Sequence, residues 1–375
     1  MKVARAIRML AHWPESGHLV LSLYLNAAWR GDRQRDRVRI FAKDSLRGLE
    51  KDLADHKERL AAVEPDLKFL REYVEGLVAL EHDVEYDGIA VFCCDHEGLR
   101  TVIRSAIPFE NGFHAAPRPR IRPLAHLYDE YETAVFVDVG TTDASIYLVE
   151  TGEIDRTMKI QNEVPGRHKQ GGWSQARFGR QMEDKMDHHH REVADQLVRM
   201  LNQVEGRNVV LAGTDRVVTN FRTFLPRYVD DNVISAVSME RNPTPEQVVS
   251  VTVKALQEAE RNRENSIMRK VVELQGNPSR AAVGLESVLN ALVHGRVQRL
   301  LLAEKFAKEG YSCRACGRLS DEAPDGCPLC GEPVTPTDLA EAMVVAAIQR
   351  GGEVDEMVDH PELEAMGGVA ALLRY

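Results

Sequence analysis

No stretch of this sequence stays apolar for the roughly 20 residues that a membrane-spanning helix needs. Near the amino terminus only His18 to Leu25 forms an apolar run. That run is shorter than a secretory core, and no small-residue cleavage site follows it. A cytosolic chain with no membrane contact is therefore expected, and in that compartment paired thiols serve metals more often than disulfides. Neither a Walker phosphate loop nor a Ser, His and Asp catalytic set is present. Positive charge is also in deficit. The net charge of −10 argues against general affinity for nucleic acid, DNA included, because phosphate binding depends on Lys and Arg releasing counterions.

Against that deficit, no acidic residue falls between Val164 and Met182, whereas Arg167, Lys169, Arg177 and Arg180 do. One positive patch thus survives on an acidic body. Arg118, Arg120 and Arg122 form a second.

The composition, 43% hydrophobic and 28% charged, is that of a chain able to bury a core. At 375 residues it should hold more than one domain. Three are expected: residues 1–123, 124–275 and 276–375. In the first, strands over 19–25 and 88–94 flank helical patterning from 36 to 78 that breaks at 63–65. The Pro-punctuated stretch 115–123 should be an extended linker. In the second, strands at 133–138, 144–150, 208–211 and 233–238 mix with helices at 175–204, 216–225 and 244–274, an α/β layer pattern. Thr244 is the expected N-cap of the last helix. The third opens with a helix over 280–294 ended by Gly295. It continues with a strand over 297–303, a cysteine-bearing insertion at 311–333, a helix over 337–350 and a short terminal strand.

Within that insertion Cys313 and Cys316 form one C-x2-C pair and Cys327 and Cys330 another, with Gly317 and Gly331 directly behind. Two such knuckles present four soft ligands, the number a tetrahedral zinc needs. With every position filled by protein, the zinc would be structural. Cys93 and Cys94, inside an apolar strand, read as core.

Residues 164–180 read VPGRHKQGGWSQARFGR. Gly171 and Gly172 permit backbone conformations closed to other residues and let the chain approach another surface closely. Arg167, Lys169, Arg177 and Arg180 can meet phosphates, Trp173 can stack on a base, and Gln175 offers amide donors near a helix start.

This loop resembles the Gly-Gly-Gln loop of the archaeal and eukaryotic peptide-chain release factors, in the Gly-Gly-x-Ser-Gln form of their bacterial relatives and of Vms-like hydrolases. The ending Gly367-Gly-Val-Ala-Ala-Leu-Leu-Arg374-Tyr375 is similar to the terminus common in that family, to which Pelota and the hibernation factor Balon are related. The resemblance covers about 125–375. It implies an α/β (α+β) chain with an RNase H-like middle domain and a carboxy-terminal domain similar to the kink-turn-binding ribosomal proteins, carrying an inserted zinc ribbon. It further implies binding in the ribosomal A site, among ribosomal RNA and peptidyl-tRNA, with a translational GTPase as a candidate carrier. Gly171, Gly172, Ser174 and Gln175 would make the catalytic loop and Gln175 would stabilise the oxyanion of ester hydrolysis. No Asn-Ile-Lys-Ser motif is present, so rescue of stalled ribosomes is expected rather than codon-specific termination. The alternative is a non-catalytic factor of the Balon or Pelota kind in the same site.

Two further motifs compete. Asp138-Val-Gly140-Thr141-Thr142 resembles the first phosphate loop of actin-like kinases, but no second copy exists and a plain turn is expected. His188, His189 and His190 cannot all converge on one ion, because successive helical residues point about 100° apart. They read as a face turned to solvent or RNA.

Overall fold

The computed structural model describes every residue except 1–2, 16, 30, 80–85, 162–173, 205, 324 and 375, and for 174–181 the backbone alone. The chain forms two compact units, one of residues 1–129 with 263–375 and one of residues 130–262.

The chain begins with α1 (Val3–Ala11), β1 (Val20–Asn26), α2 (Asp32–Asp52), α3 (Lys57–Val78), β2 (Gly88–Cys94), β3 (Leu99–Ser105), β4 (Gly112–Ala116) and α4 (Arg122–Glu130). The four strands form an antiparallel sheet in the order β3-β2-β1-β4. Strand residues alternate between faces, so Leu21, Leu23, Leu25, Ile89, Val91 and Cys93 share the face against which α2 and α3 bury Leu46, Leu67 and Leu70. The helical stretch turns at 53–56 rather than at 63–65. There Leu53 is buried and the His56 N–H donates to its carbonyl at 2.8 Å. Pro65 lies inside α3, at the cost of one helix bond. The stretch read as a linker instead starts in β4, paired to β1, and ends in α4.

The middle stretch supplies β5 (Ala134–Val139), β6 (Asp143–Glu150), β7 (Glu153–Gln161), α5 (Ser174–Leu201), β8 (Asn208–Gly213), α6 (Asp215–Arg222), α7 (Arg227–Asp230), β9 (Val233–Ser238) and α8 (Pro245–Leu274). The sheet order is β7-β6-β5-β8-β9, antiparallel from β7 to β5 and parallel from β5 to β9. This is the mixed sheet expected of an RNase H-like domain. Val135, Val137 and Val139 face α5, which returns Val193, Ala194, Leu197 and Met200. Phe136 points the other way, to Val248 and Ala255 of α8. Thr151 and Gly152 both have positive φ, 45° and 81°, the requirement of a two-residue hairpin turn. Thr244 caps α8 reciprocally: its Oγ1 accepts from the Gln247 N–H at 3.3 Å, and its N–H donates to Gln247 Oε1 at 2.9 Å.

The last stretch supplies β10 (Ala281–Val283), α9 (Leu285–Val293), β11 (Val297–Ala303), β12 (Glu309–Cys313), β13 (Leu319–Ser320), β14 (Val334–Asp338), α10 (Leu339–Gln349), β15 (Glu353–Met357), α11 (Pro361–Ala365) and β16 (Val369–Leu373). Where one helix was expected over 280–294, a short strand precedes Gly284, at φ 79°, and only then does α9 start. The sheet β10-β16-β11-β15 carries as an insertion a small antiparallel ribbon, β13-β12-β14.

The two ends of the chain meet in the first unit through α1 and α10. Gln349 Nε2 donates to the Ala11 carbonyl at 2.7 Å. Arg120 pairs with Asp338 at 2.6 Å, and Asp338 in turn caps α10. The Glu341 carboxylate accepts the Ile121 and Arg122 N–H groups at 2.6 and 3.1 Å. It thereby satisfies donors that the start of α4 would otherwise leave open. Burial raises Glu341 to about 7, against these amides and the nearby Arg120, which favour its charged form.

Candidate functional site

The Gly-Gly segment joins β7 to α5. Arg167, Lys169, Gly171, Gly172 and Trp173 lie outside the described residues. Ser174 and Gln175 are the first two residues of α5, and Arg177 and Arg180 belong to its first two turns, with side chains outside the description. The first four N–H groups of a helix have no intrahelical partner, and the helix dipole makes that end positive. The Gln175 amide is one of those four.

Farther along, α5 is anchored to its sheet. His190, fully buried, uses Nε2 against the Gly140 carbonyl at 3.1 Å, and its Nδ1 faces Asn220 Nδ2 at 3.3 Å. One neutral tautomer satisfies both contacts, donating from Nε2 and accepting at Nδ1. Burial lowers the pKa of His190 and of its buried neighbour His189. The expectation of a solvent-facing or RNA-facing histidine run therefore fails at these two positions. Its signal was in the sequence: His190 stands three and seven residues before Val193 and Leu197, on the apolar stripe.

The turn that His190 grips is Gly140 to Asp143, closed by a Gly140 N–H to Asp143 carbonyl bond of 2.9 Å. Asp138, with no exposure, receives Arg241 Nη1 at 3.1 Å and the Asn242 N–H at 3.0 Å. Arg241 continues to the Asp143 carbonyl at 3.0 Å and to the Asp143 carboxylate. A Cβ on Gly140 would meet Arg241 Cζ at 2.6 Å. Burial raises the Asp138 pKa against the pull of the Asn242 N–H and Arg241. An aspartate so enclosed is a structural clamp, which agrees with the plain-turn reading of Asp138 to Thr142.

The four ribbon cysteines do come together: Sγ of Cys313, Cys316, Cys327 and Cys330 all lie within 4.8 Å of one another. Cys313 to Cys330 and Cys316 to Cys327 are each 3.5 Å apart. Four sulfurs about 2.3 Å from a central ion would be about 3.8 Å apart along a tetrahedron's edges, close to what is seen. Each knuckle is closed by its glycine, with Gly317 N–H to the Cys313 carbonyl at 2.8 Å and Gly331 N–H to the Cys327 carbonyl at 2.7 Å. Both glycines have positive φ, 72° and 79°. The residues fit a tetrahedral metal ion held without an open position.

The second basic patch is not a free surface. Arg118 pairs with Glu15 at 3.3 Å, Arg120 with Asp338, and Arg122 with Glu356. Arg122 also donates to the Phe306 carbonyl at 2.6 Å. These arginines join the first and last stretches of the chain.

Residues 119–260 match the family model Bacterial archaeo-eukaryotic release factor family 10. Peptide chain release factor subunit 1 of Methanopyrus kandleri is 28% identical over 206 residues, covering 52% of this chain and 50% of that protein. The corresponding factor of Methanobrevibacter smithii is 25% identical over 285 residues, 68% of each chain. The match thus spans half the length of the first relative and about two thirds of the second. Among solved structures, an archaeal translation termination factor is similar over 100% of this chain and 97% of its own, with 16% identity and a TM-score of 0.27. Archaeoglobus fulgidus Pelota is similar over 77% and 84%, with 16% identity and a TM-score of 0.34. No described helix is long and apolar enough to cross a membrane.

Proposed function

From the premise that this chain is a bacterial archaeo-eukaryotic release factor-like protein, we propose that it works on the ribosome. In this reading it enters the A site of a stalled ribosome, directs Gly171 to Gln175 into the peptidyl-transferase centre and hydrolyses peptidyl-tRNA without reading a stop codon. The observation that carries the proposal is the position of the motif: Gly171-Gly172-Trp173-Ser174-Gln175 ends on the first two residues of α5, inside the segment that matches the family. The glycines let the loop pass close to RNA, and Arg167, Lys169, Arg177 and Arg180 neutralise phosphates along it. Trp173 stacks on a base.

Water attacks the ester carbonyl carbon, and the bond to the ribose 3′ oxygen breaks. One proton of the water restores the 3′ hydroxyl of the tRNA, and the other passes to solvent as the peptide leaves as a carboxylate. The helix-start amide of Gln175 meets the negative oxygen as it forms, and its side chain orients the water. Zinc is the metal that the four ribbon thiolates would hold, as a structural ion.

Trp173 and Ser174 stand between the glycines and Gln175. That spacing favours a second reading, a non-catalytic factor that occupies the same site on stalled or idle ribosomes. One experiment separates the two. Ribosomes carrying labelled peptidyl-tRNA are incubated with wild type and with Gln175→Ala. Hydrolysis with a rate falling about 100-fold or more in the variant, which keeps the backbone N–H but loses the side chain that orients the water, supports the enzyme. Saturable A-site binding without release supports the second reading. Absence of ribosome binding refutes both.

A further inference from the structure

Within the first unit, a cleft of 960 Å³ is shared by two strand edges. β4 is bonded to β1 along one side and is the last strand of its sheet; β14 is likewise last in the ribbon, bonded to β12. Phe113 to Ala116 of the one and Thr335 to Asp338 of the other line the same space. An unpaired strand edge presents a row of N–H and C=O groups that accept another strand. Pro336 interrupts that row in β14. β4 contains no proline and is half-exposed throughout, so it is the edge able to add a strand.

The remaining walls specify what such a strand should carry. One face of α10 contributes Ala342, Val345 and Ala346 as an apolar floor. Five arginines, at 59, 118, 120, 314 and 350, stand against four carboxylates, at 15, 309, 338 and 341. Most of the carboxylates are already committed. Glu15 serves both Arg118 and Arg314, the latter at 2.8 Å. Asp338 serves Arg120, and Glu341 is taken up by backbone N–H groups. Arg59 has no carboxylate partner among the described residues. On a body of net charge −10, this cleft is a place of cationic excess.

We propose that the cleft binds an extended acidic peptide segment of a partner protein, added as a strand on the open edge of β4. Alternate side chains of that segment rest on the α10 floor, and its carboxylates meet Arg59 and the Arg118–Arg314 pair. An RNA strand suits the walls less well, because it has no peptide N–H and C=O row to pair with the β4 edge and no apolar side chains for the α10 floor.

The test uses the full chain and a fluorescein-labelled peptide, Glu-Val-Glu-Ile-Glu-Val-Glu, followed by anisotropy. Saturable binding below about 1 mM is expected, weakening with salt. Arg59→Glu, at an exposed position outside the fold's ion pairs, should weaken it about tenfold or more. Strand pairing on one edge uses every second N–H of the added strand. Of two peptides N-methylated on odd or on even positions, one should therefore bind like the parent and the other not at all. Hydrogen exchange of β4 amides should slow only with peptides that bind. Failure to saturate overturns the proposal, as does equal binding of both methylated peptides or indifference to Arg59→Glu. A uridine oligonucleotide that slows the same amides in an Arg59-dependent way would assign the cleft to RNA instead.

Discussion

Replacing Arg241 by alanine should loosen the base of the Gly-Gly loop without touching the loop itself. The guanidinium spans Asp138 and Asp143, and only the Asn242 N–H then remains on the buried Asp138 carboxylate. Losing a charge-assisted hydrogen bond costs about 1.5–3 kcal/mol. Leaving a buried charge unpaired costs about 3–5 kcal/mol, but Asp138 has an escape, because it can take up a proton. Holding it protonated at pH 7 against its ordinary value of 3.8 costs about 4 kcal/mol, which bounds the penalty from above. A loss of about 2–4 kcal/mol follows. Hydrogen exchange of β5 and β8 amides reads it directly, as the opening free energy of the middle unit.

The sign with pH is fixed. Without Arg241 the folded pKa of Asp138 lies further above its unfolded value. The stability linked to the protonated form is then fully present below pH 3.8 and is lost as pH rises through the folded pKa. The gap to wild type should therefore narrow as pH falls toward 4. Asp138→Asn in the Arg241→Ala background removes the stranded charge and should recover at least half of the loss. A cost under about 1 kcal/mol, or no recovery in the double variant, would refute the clamp.

Cys327→Ser, or chelation of wild type, should release a bound metal and speed exchange across β12 to β14, while β5 and β8 amides stay unchanged; purified protein with no metal by elemental analysis contradicts the site. Glu341, raised to about 7 by burial, contributes stability that is fully present below about 4.5 and lost as pH rises through 7. Amides of α4 should accordingly lose up to about 3 kcal/mol of protection across that window. Glu341→Gln, which cannot ionise, should flatten the profile; an unchanged profile contradicts the assignment.

Much of this was legible in the sequence, for reasons that differ by element. β2 and β11 announce themselves because they are short apolar runs bounded by turn residues. The Thr244 cap and the cysteine knuckles are local chemistry, complete within a few residues, and the fold left them as read. β7 was missed although Ile154, Met158 and Ile160 keep the two-residue period, because the strand is an edge with a mostly exposed pattern. The turn at 53–56 was illegible, since it is decided by Leu53 reaching the core and carries no glycine or proline. So were the partners of Arg118, Arg120 and Arg122. Residues up to 234 positions apart neutralise them, and a basic run looks the same on paper whether its counterions are solvent or Glu356. The start of α5 at Ser174 fell within one residue of the Gln175 at which the sequence placed it.

Because one compact unit is assembled from both extremities of the chain, its completion is tied to the timetable of synthesis. Residues 1–129 leave the ribosome with a core of their own, yet Arg120, Arg122 and the α4 amides must wait for Asp338, Glu341 and Glu356. At about 5–20 residues per second that interval is roughly ten to forty seconds, long enough for the middle unit to fold first. During it, the nascent amino-terminal part would carry unsatisfied cations and an exposed seam, and a truncation before residue 338 would leave that seam open permanently.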